Sequence, residues 1–589
     1  MFEKLLHGIL LSKKKKRLVI FITLAAMMGA VMMIPTKLVL AKMLPGKSAN
    51  TFSIYVDTAT NSSIEETKKV TKCVVDVLKK EEGVTDMEVY LGQGAPLDYA
   101  GLVKGSGMKR FQNQAEIVVN LTDKHHRAEP SYMMVHRIRP TIQETCEPLI
   151  PHTSIKFVEM PSGPPTLATI VVNVYGENPA LQRYTAERVA DILGQTDGLV
   201  DIDIMQDDFY THYNIIPDKE KIIRSGLSVE QVNNILYMAF KGYKVALKNS
   251  ANQQDQIPIF VRLDDKTRMI DPDTKEGLEW KLASLKLMNH MGMMIPLKEL
   301  VEIKEMPSNP TIYRKNLKNM TTVTAECDLV SQVYPLLDAR AMMLEQLSEE
   351  FNITKSPGMS TYMFDLYLTH RATGGKVHLQ WDGEMKVSLD TFRDLGGAFI
   401  AALVLMFLLM VVYYKSFALS GIVLAGSFLS IIGVIAGHWV TDKIQLLFTG
   451  TNFFLTATSL IGFISLMGIS ARSSLLLIDF SRSLIKSGIE KKHAIAIATS
   501  TRAKPILMTT VAIILGSALL ATDPIFGGLG IALIFGSMAA TLVALFFVPV
   551  LMDSTSAICP ETFTDAAACS GGGLEDIDEE EIEEIAPVA

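Results

Sequence analysis

GISARSSLLLIDF, Gly468 to Phe480, sets one cation among small and aliphatic side chains. It closes a longer apolar run that begins near Phe453 and is long enough to cross a bilayer. An arginine at the centre of such a helix costs about 2.5–3.5 kcal/mol on insertion scales, so Arg472 is tolerated where it faces a bundle interior and a carboxylate partner. The alternative is a guanidinium that snorkels to the headgroups, which the depth of Arg472 makes strained. Gly468, Ser470, Ala471, Ser473 and Ser474 allow a close helix approach, and packing is their first role. Asp479 follows seven residues on, two turns along the same face and closer to the interface, where a solvated carboxylate is the simpler account.

Four more apolar runs surround this one: Leu395–Tyr414, Phe417–Gly437, Pro505–Ala521 and Leu529–Leu551. Pro505 suits a first helical turn, where its missing N–H costs nothing. Arg502 precedes it at the interface, and Thr509 lies one turn deeper, facing the same interior as Arg472. The loop Ser481–Lys504 holds Arg482, Lys486, Lys491, Lys492, Arg502 and Lys504 against the single acid Glu490, and Lys415 sits on the same side. The opposite loops carry Asp442 with Lys443, and Asp523. Basic loops remain cytoplasmic. At the other end of the chain Lys13–Arg17 (KKKKR) precedes an apolar run from Leu18 that continues past Pro35 to Leu40, with no small-residue cleavage site, and predicts an uncleaved first transmembrane helix over 17–40 after a cytoplasmic 1–16. Both signals put residues 41–392 outside the cytoplasm.

Residues 41–392 are soluble in pattern and repeat a strand–helix–strand unit. Phe52–Asp57, Ile64–Lys80 and Met87–Leu91 form one cycle, and Ala115–Leu121, Tyr132–Leu149 and Ser154–Glu159 a second. Ala168–Tyr175, Ala180–Gln195 and Val200–Met205 form a third, after a stiff PSGPP boundary at Pro161–Pro165. Alternating strands and helices imply small α/β sandwiches. A different stretch, 210–306, interrupts the third unit. It holds a strand at Thr211–Ile216, a helix opening at Pro217, a capping box at Ser228 and Gln231, and strands at Pro258–Leu263 and Leu300–Ile303. The α/β pattern resumes with Thr321–Glu326 and the helix Tyr334–Phe351. The units are thus 41–165, then 166–209 with 307–392, the insertion 210–306, the five-helix block 393–552, and a tail 553–589.

Composition narrows the function class. The chain has 589 residues, 48% hydrophobic yet 20% charged, which suits a membrane part joined to a soluble one. The net charge of −7 is carried by the tail, where eight acids crowd Glu575–Glu584 after a Ser570–Gly573 linker, a disordered composition. There is no basic stripe or reader motif for nucleic acid. Cys73, Cys146, Cys327, Cys559 and Cys569 show no metal-ligand spacing and read as buried or free thiols. Of the 31 methionines, Met288, Met291, Met293 and Met294 fall in the insertion, where packing or loop contacts account for them better than copper binding.

Motifs then point to a family. Gly468–Phe480 resembles the tenth transmembrane helix of resistance-nodulation-division (RND) multidrug pumps, and RAKPILMTT (Arg502–Thr510) the eleventh. DPIFGGLG (Asp523–Gly530) and FFVPVL (Phe546–Leu551) resemble the family's last loop and last helix. KMLPGKSANTFSIYVD (Lys42–Asp57) and IYRKNLKNMTTVTAE (Ile312–Glu326) are similar to its porter strands. The similarity runs in order from the first helix to about Leu551 and covers the C-terminal half of a standard acriflavine-resistance, hydrophobe-amphiphile pump. It implies six transmembrane helices in a one-plus-five order, with a large periplasmic domain of ferredoxin-like porter subdomains and a docking insertion. Gly92–Asn113 lies where such pumps keep a gating loop.

The resemblance also implies a mechanism. Arg472 stands at the basic position that pairs with two aspartates from the other half, and Arg502 and Thr509 stand at supporting positions of that proton relay, with Asp479 beside them. Many relatives carry Lys where this chain has Arg472 and Asn where it has Ser473. Arginine keeps its proton, so Arg472 is a fixed counter-cation and not a carrier. The spans hold no aspartate pair, so the chain is expected to be half of a proton-driven exporter of amphiphilic small molecules in the bacterial inner membrane, not an enzyme. It would use the proton motive force and no cofactor. The expected partners are a second half-chain, a trimeric assembly, a periplasmic adaptor and an outer-membrane channel. Rival readings are an accessory subunit of the protein-export translocase, which shares the topology but lacks a docking insertion; a non-transporting scaffold; and an RND-type lipid or metal exporter.

Overall fold

The computed structural model describes residues 2–160, 163, 166–249, 251, 256–272, 274–356 and 363–559. The PSGPP boundary apart from Gly163, Cys569 and the acidic tail lie outside them. The described chain forms two compact units: one from residues up to Met205 together with those from Tyr313 on, the other Gln206–Ile312.

The first unit opens with α1 (Phe2–Leu11), a short helix absent from the sequence reading, whose Leu6 and Leu10 are fully buried. Helix α2 (Lys13–Met32) follows and stops eight residues short of the expected Leu40. Pro35 explains the difference: it offers no N–H and disfavours helical geometry in the residue before it, and Lys37 turns into the left-handed region at φ 59°. Residues 40–43 then run beside 455–457, with Leu455 N donating to Leu40 O at 2.8 Å.

Two α/β layers follow, built on one plan. In the first, β1 (Thr51–Asp57), α3 (Ile64–Leu78), β2 (Val84–Leu91), β3 (Gln114–Leu121), α4 (Ser131–Cys146) and β4 (Ser154–Val158) give an antiparallel sheet in the order β2-β3-β1-β4. That is the ferredoxin-like order. Ser63 and Glu66 cap α3 reciprocally, and its Val70, Val74 and Leu78 close on Ile54, Ile117 and Ile142. Cys73 and Cys146 form a disulfide between α3 and α4, so these two are not the free thiols their spacing suggested. Pairing depends on where two helices meet, which spacing in sequence does not reveal. Cys559 is also disulfide-bonded, while Cys327 is free.

The second layer begins with β5 (Ile170–Gly176), α5 (Pro179–Gly194) and β6 (Leu199–Met205), and is interrupted by the second unit. That unit pairs β7 (Thr211–Pro217) with a strand at Val301–Pro307 and packs α6 (Lys219–Arg224), α7 (Val229–Leu236) and α8 (Lys275–Ser284) around Ile222, Val232, Leu278 and Leu282. The Ser228–Gln231 capping box is present. Two hairpins belong to it: β8 (Tyr243–Lys248) with β9 (Ile257–Val261), exposed along its whole length, and β10 (Lys286–Met288) with β11 (Met294–Pro296). Met288, Met291, Met293 and Met294 are all exposed, so core packing does not account for them.

The first unit resumes after the strand now numbered β12 (Val301–Pro307), with β13 (Tyr313–Lys315), β14 (Lys318–Cys327), α9 (Val333–Gln346), β15 (Phe351–Lys355), β16 (Leu366–His370) and β17 (Lys376–Asp382). Strand β14 joins β5 and β6, and β17 flanks β5 on its other side, repeating the first layer's order. The β15–β16 hairpin extends this sheet to seven strands and is new relative to the sequence reading.

Five helical spans are long and apolar enough to cross a membrane: Glu384–Tyr414, Phe417–Thr449, Ala457–Lys486, Lys491–Ala521 and Gly527–Ser554. We number their helices α10 (Glu384–Tyr414), α11 (Phe417–Phe428), α12 (Ile431–Thr449), α13 (Ala457–Lys486), α14 (Lys491–Ala521), α15 (Gly527–Leu542) and α16 (Val548–Ser554). Helix α2 is not among the five. Its apolar part, Leu18–Met32, rises only about 22 Å at 1.5 Å per residue, and Lys13–Arg17 supply the remainder. Helix α14 starts at Lys491, so Pro505 stands inside it and not in its first turn. Gly433 and Gly437 let α12 lie against α15, because a Cβ on either would come within 2.5 Å of Phe535.

Candidate functional site

Helix α13 is two-faced. Gly462, Leu466, Ser470, Ser474, Leu477 and Ser481 are buried against the rest of the bundle. On the opposite side Ile461, Ser465, Gly468 and Arg472 are exposed, at the three- and four-residue steps that mark one helix face. A Cβ on Gly468 would meet nothing within 4 Å. Arg472 forms no ion pair among the described residues. Ser465, Gly468 and Arg472 make the middle of this stripe small, polar and cationic, whereas Leu405, Leu409 and Val412 of α10 and Val511, Leu515 and Leu519 of α14 are exposed aliphatic residues. Lipid suits the aliphatic faces, whereas a guanidinium in hydrocarbon requires a polar partner.

The four residues singled out from the sequence are not assembled into one cluster. Asp479, half-buried on α13, accepts a hydrogen bond from Tyr413 Oη at 3.1 Å and makes no ion pair with Arg472. Arg502 places its guanidinium over the Phe480 ring at 5.1 Å, and its buried Nε has no partner among the described residues. Thr509 is exposed and donates only to Pro505 O at 3.0 Å, within its own helix. Its neighbour Thr510 is the buried one and bonds Thr541 of α15 at 2.6 Å.

The sequence reading passed over His438 and placed Asp442 in a loop. Helix α12 continues to Thr449 and carries His438 and Asp442, both buried. His438 Nδ1 donates to Val434 O at 2.7 Å, which leaves Nε2 to accept from Ser459 Oγ at 2.8 Å. Asp442 accepts from Phe453 N at 2.9 Å and Lys443 Nζ at 3.0 Å. Gly450, in the left-handed conformation that ends this helix, was the signal for its true terminus.

Where the α/β layers meet the ends of the helices, a cavity of about 370 Å³ is lined by Lys42, Lys104, Glu159, Glu326, Glu384 and Asp523 among others. Lys104 pairs with Glu326 at 2.6 Å, and Thr169 donates to the same carboxylate through its N–H at 3.2 Å and through its hydroxyl. Burial works against ionising Glu326, but Lys104 beside it holds its pKa below the ordinary value. Glu159 is pushed up to about 7, first by burial and then by Glu326, against the opposing pull of Arg139 and Lys104.

Comparison with known proteins identifies the family. The family model described as AcrB/AcrD/AcrF matches residues 1–359 and 372–553. The swarming motility protein SwrC of Bacillus subtilis is 23% identical over 393 residues, 64% of this chain and 32% of that protein. The nickel and cobalt resistance protein CnrA of Cupriavidus metallidurans is 25% identical over 67% of this chain and 34% of its own length. The multidrug resistance protein MdtC of Photorhabdus laumondii is 23% identical over 61% and 31%. Among solved structures, a heavy metal efflux pump superposes with a TM-score of 0.69 at 18% identity, covering 94% of this chain and 52% of that one. The chain therefore spans about a third of the length of these curated relatives and about half of that solved chain. By its fold, its helical part and the extent of the family match, it belongs to the AcrB/AcrD/AcrF family of RND efflux transporters.

Proposed function

We propose that this chain is one half of a proton-driven RND exporter, completed by a second set of helices that docks on the exposed face of α13. The observation that carries this reading is the stripe Ser465–Gly468–Arg472, an exposed cationic and small-residue surface on an apolar helix with no partner among the described residues. A carboxylate pair from the partner half would alternate between pairing with Arg472 and holding a proton, and the change in helix packing would rock the porter layers. Arg502 and Thr509 support that relay from α14, and Asp479 flanks it. Helix α2 acts as a sixth span, its basic end reaching to the interface, which gives the one-plus-five order. Lys16 of that end pairs with Asp553 at 2.6 Å. The α/β domain lies in the periplasm and the helices in the inner membrane. Loop charge carries this assignment, since disulfide-bonded cysteines stand both in the α/β domain and at Cys559. A trimer with an adaptor and an outer-membrane channel fits the family, and the transport step needs the proton motive force and no cofactor.

The cargo we favour is an amphiphilic small molecule. A metal cargo is the second reading, favoured by the names of CnrA and of the structurally similar heavy metal pump. The family match argues against a translocase accessory. The test is substrate accumulation in cells expressing both halves at matched levels. Arg472→Ala is expected to abolish export while the chain still inserts, because it strands buried carboxylates of the partner at a cost of about 3–5 kcal/mol. Arg472→Lys is expected to keep part of the activity. Full export by the alanine variant would overturn the mechanism.

A further inference from the structure

The unit Gln206–Ile312, read from the resemblance as a docking insertion, presents a turn to which that reading assigns no ligand. Between β10 and β11 the chain reads MNHMGMM, Met288 to Met294, with four methionines and one histidine in seven residues. Met288, Met291, Met293 and Met294 are 64%, 73%, 53% and 56% exposed, and His290 is exposed as well. Their neighbours Leu287 and Ile295 pack onto the unit's core, and the strand alternation turns Met288 and Met294 to the opposite, open face of the hairpin.

The turn is held rigid from beneath. Asn289 is buried at 4% exposure. Its Oδ1 accepts from Met291 N at 3.0 Å and Met293 N at 2.9 Å, and its Nδ2 donates to Ser225 O at 3.1 Å. Asn289 N donates to Met293 O at 3.0 Å, and Gly292, at φ +79°, supplies the left-handed step. Met288 and Met294 are direct cross-strand partners, so their side chains leave the same face of the hairpin with Cβ atoms about 5 Å apart. Met291 and His290 stand at the turn beyond them.

Chemistry distinguishes this patch from the unit's other exposed apolar surface. The β8–β9 hairpin exposes Val245, Leu247, Ile259 and Phe260, an ordinary mixture. At the β10–β11 turn every exposed large apolar residue is a methionine. An apolar contact surface is served equally by leucine, whereas thioether sulfur beside an imidazole is a soft donor set that selects monovalent copper and its analogue silver over hard or borderline cations. We propose that this turn binds Cu(I) or Ag(I) through Met288, Met294 and Met291, with His290 as the nitrogen donor. Asn289 is the positioning residue that fixes the turn around them.

This inference does not depend on the half-transporter reading, because binding is measured without transport. The experiment uses the full chain in detergent, titrated with Ag(I), and with Cu(I) against a colorimetric Cu(I) chelator under anaerobic conditions. Expected is the loss of one bound equivalent in Met288→Leu/Met291→Leu/Met294→Leu, which keeps apolar area and volume and so keeps the fold. Asn289→Ala, which retains every donor, is expected to weaken binding about tenfold, as changes behind a ligand set do. In the unmodified chain, Ag(I) is expected to shield the 288–294 peptide from peroxide oxidation of its methionines, read by mass spectrometry, while Zn(II) does not. Equal Ag(I) stoichiometry and affinity in the triple leucine variant, or oxidation of that peptide unchanged by Ag(I), would overturn the site and leave the turn as an apolar contact surface.

Discussion

Arg472 and Glu159 show how one residue's meaning depends on what surrounds it. Arg472 is an exposed cation on α13 with no ion pair among the described residues, and the relay role proposed for it rests on a partner surface. Glu159 is the reverse case: a carboxyl enclosed by its own chain, whose pKa rises from 4.5 to about 7 through burial first. A raised folded-state value means the native chain holds a proton that the unfolded chain has released. The stabilising contribution is fully present below about pH 4.5 and is lost as pH rises through about 7. Glu159→Gln is expected to flatten the fall in melting temperature between pH 5 and pH 7, by roughly the pH range of that shift. An unchanged pH profile would mean that Glu159 does not titrate in this window. Asp57 works in the other direction: burial opposes its charge, but Lys109 at 2.7 Å and Lys156 at 3.1 Å hold it down to about 2. Its stabilisation is present above the ordinary aspartate value of 3.8 and is lost only as pH falls through about 2.

At the scale of the element, two glycines with the same residue type face opposite situations. Gly437 of α12 is pressed against Phe535, so Gly437→Leu is expected to lower the stability of the isolated chain by about 1–3 kcal/mol or more, read as a drop in melting temperature in detergent. Gly468 of α13 has open space before it. Gly468→Leu is expected to leave the isolated chain's melting temperature within about 0.5 kcal/mol of the starting value, as surface changes do, yet to block co-purification with a second half. Loss of stability in the Gly468 variant, or undisturbed co-purification, would remove α13 as the docking face. Helix α12 thus packs at Gly437 within the chain, whereas the Gly468 face of α13 is the one proposed to meet a partner.

For the whole molecule, topology and completeness are the properties to test. A reporter fused at Lys104 is expected to be active outside the cytoplasm and one at Ser487 inside it; the reverse pattern would sink the orientation and the transport reading together. The purified single chain in proteoliposomes is expected to give no proton-dependent efflux, since its spans supply Arg472 without a facing carboxylate pair. Robust efflux from that preparation would refute the need for a second half.

Much of the architecture was legible in the chain because it is written in local periodicity. The alternation read over Phe52–Asp57, the amphipathic stretch Ile64–Lys80 and the Ser228–Gln231 cap each depend on neighbours within a few residues, and a strand at Thr51–Asp57, a helix at Ile64–Leu78 and the capped helix Val229–Leu236 formed there. The apolar spans were found but not their ends. Helices α12 and α14 continue through polar residues beyond the apolar runs, so His438 went unread, Asp442 was taken for a loop residue and Pro505 for the first turn of a helix. Arg472 stood out by its charge, whereas its exposure is a property of α13's whole face. Only tertiary structure decided the Cys73–Cys146 bond, the extra β15–β16 hairpin and the outward display of Met288, Met291, Met293 and Met294. Each of these depends on which distant segment arrives alongside, and burial is set by those non-local contacts while element type is set by local ones.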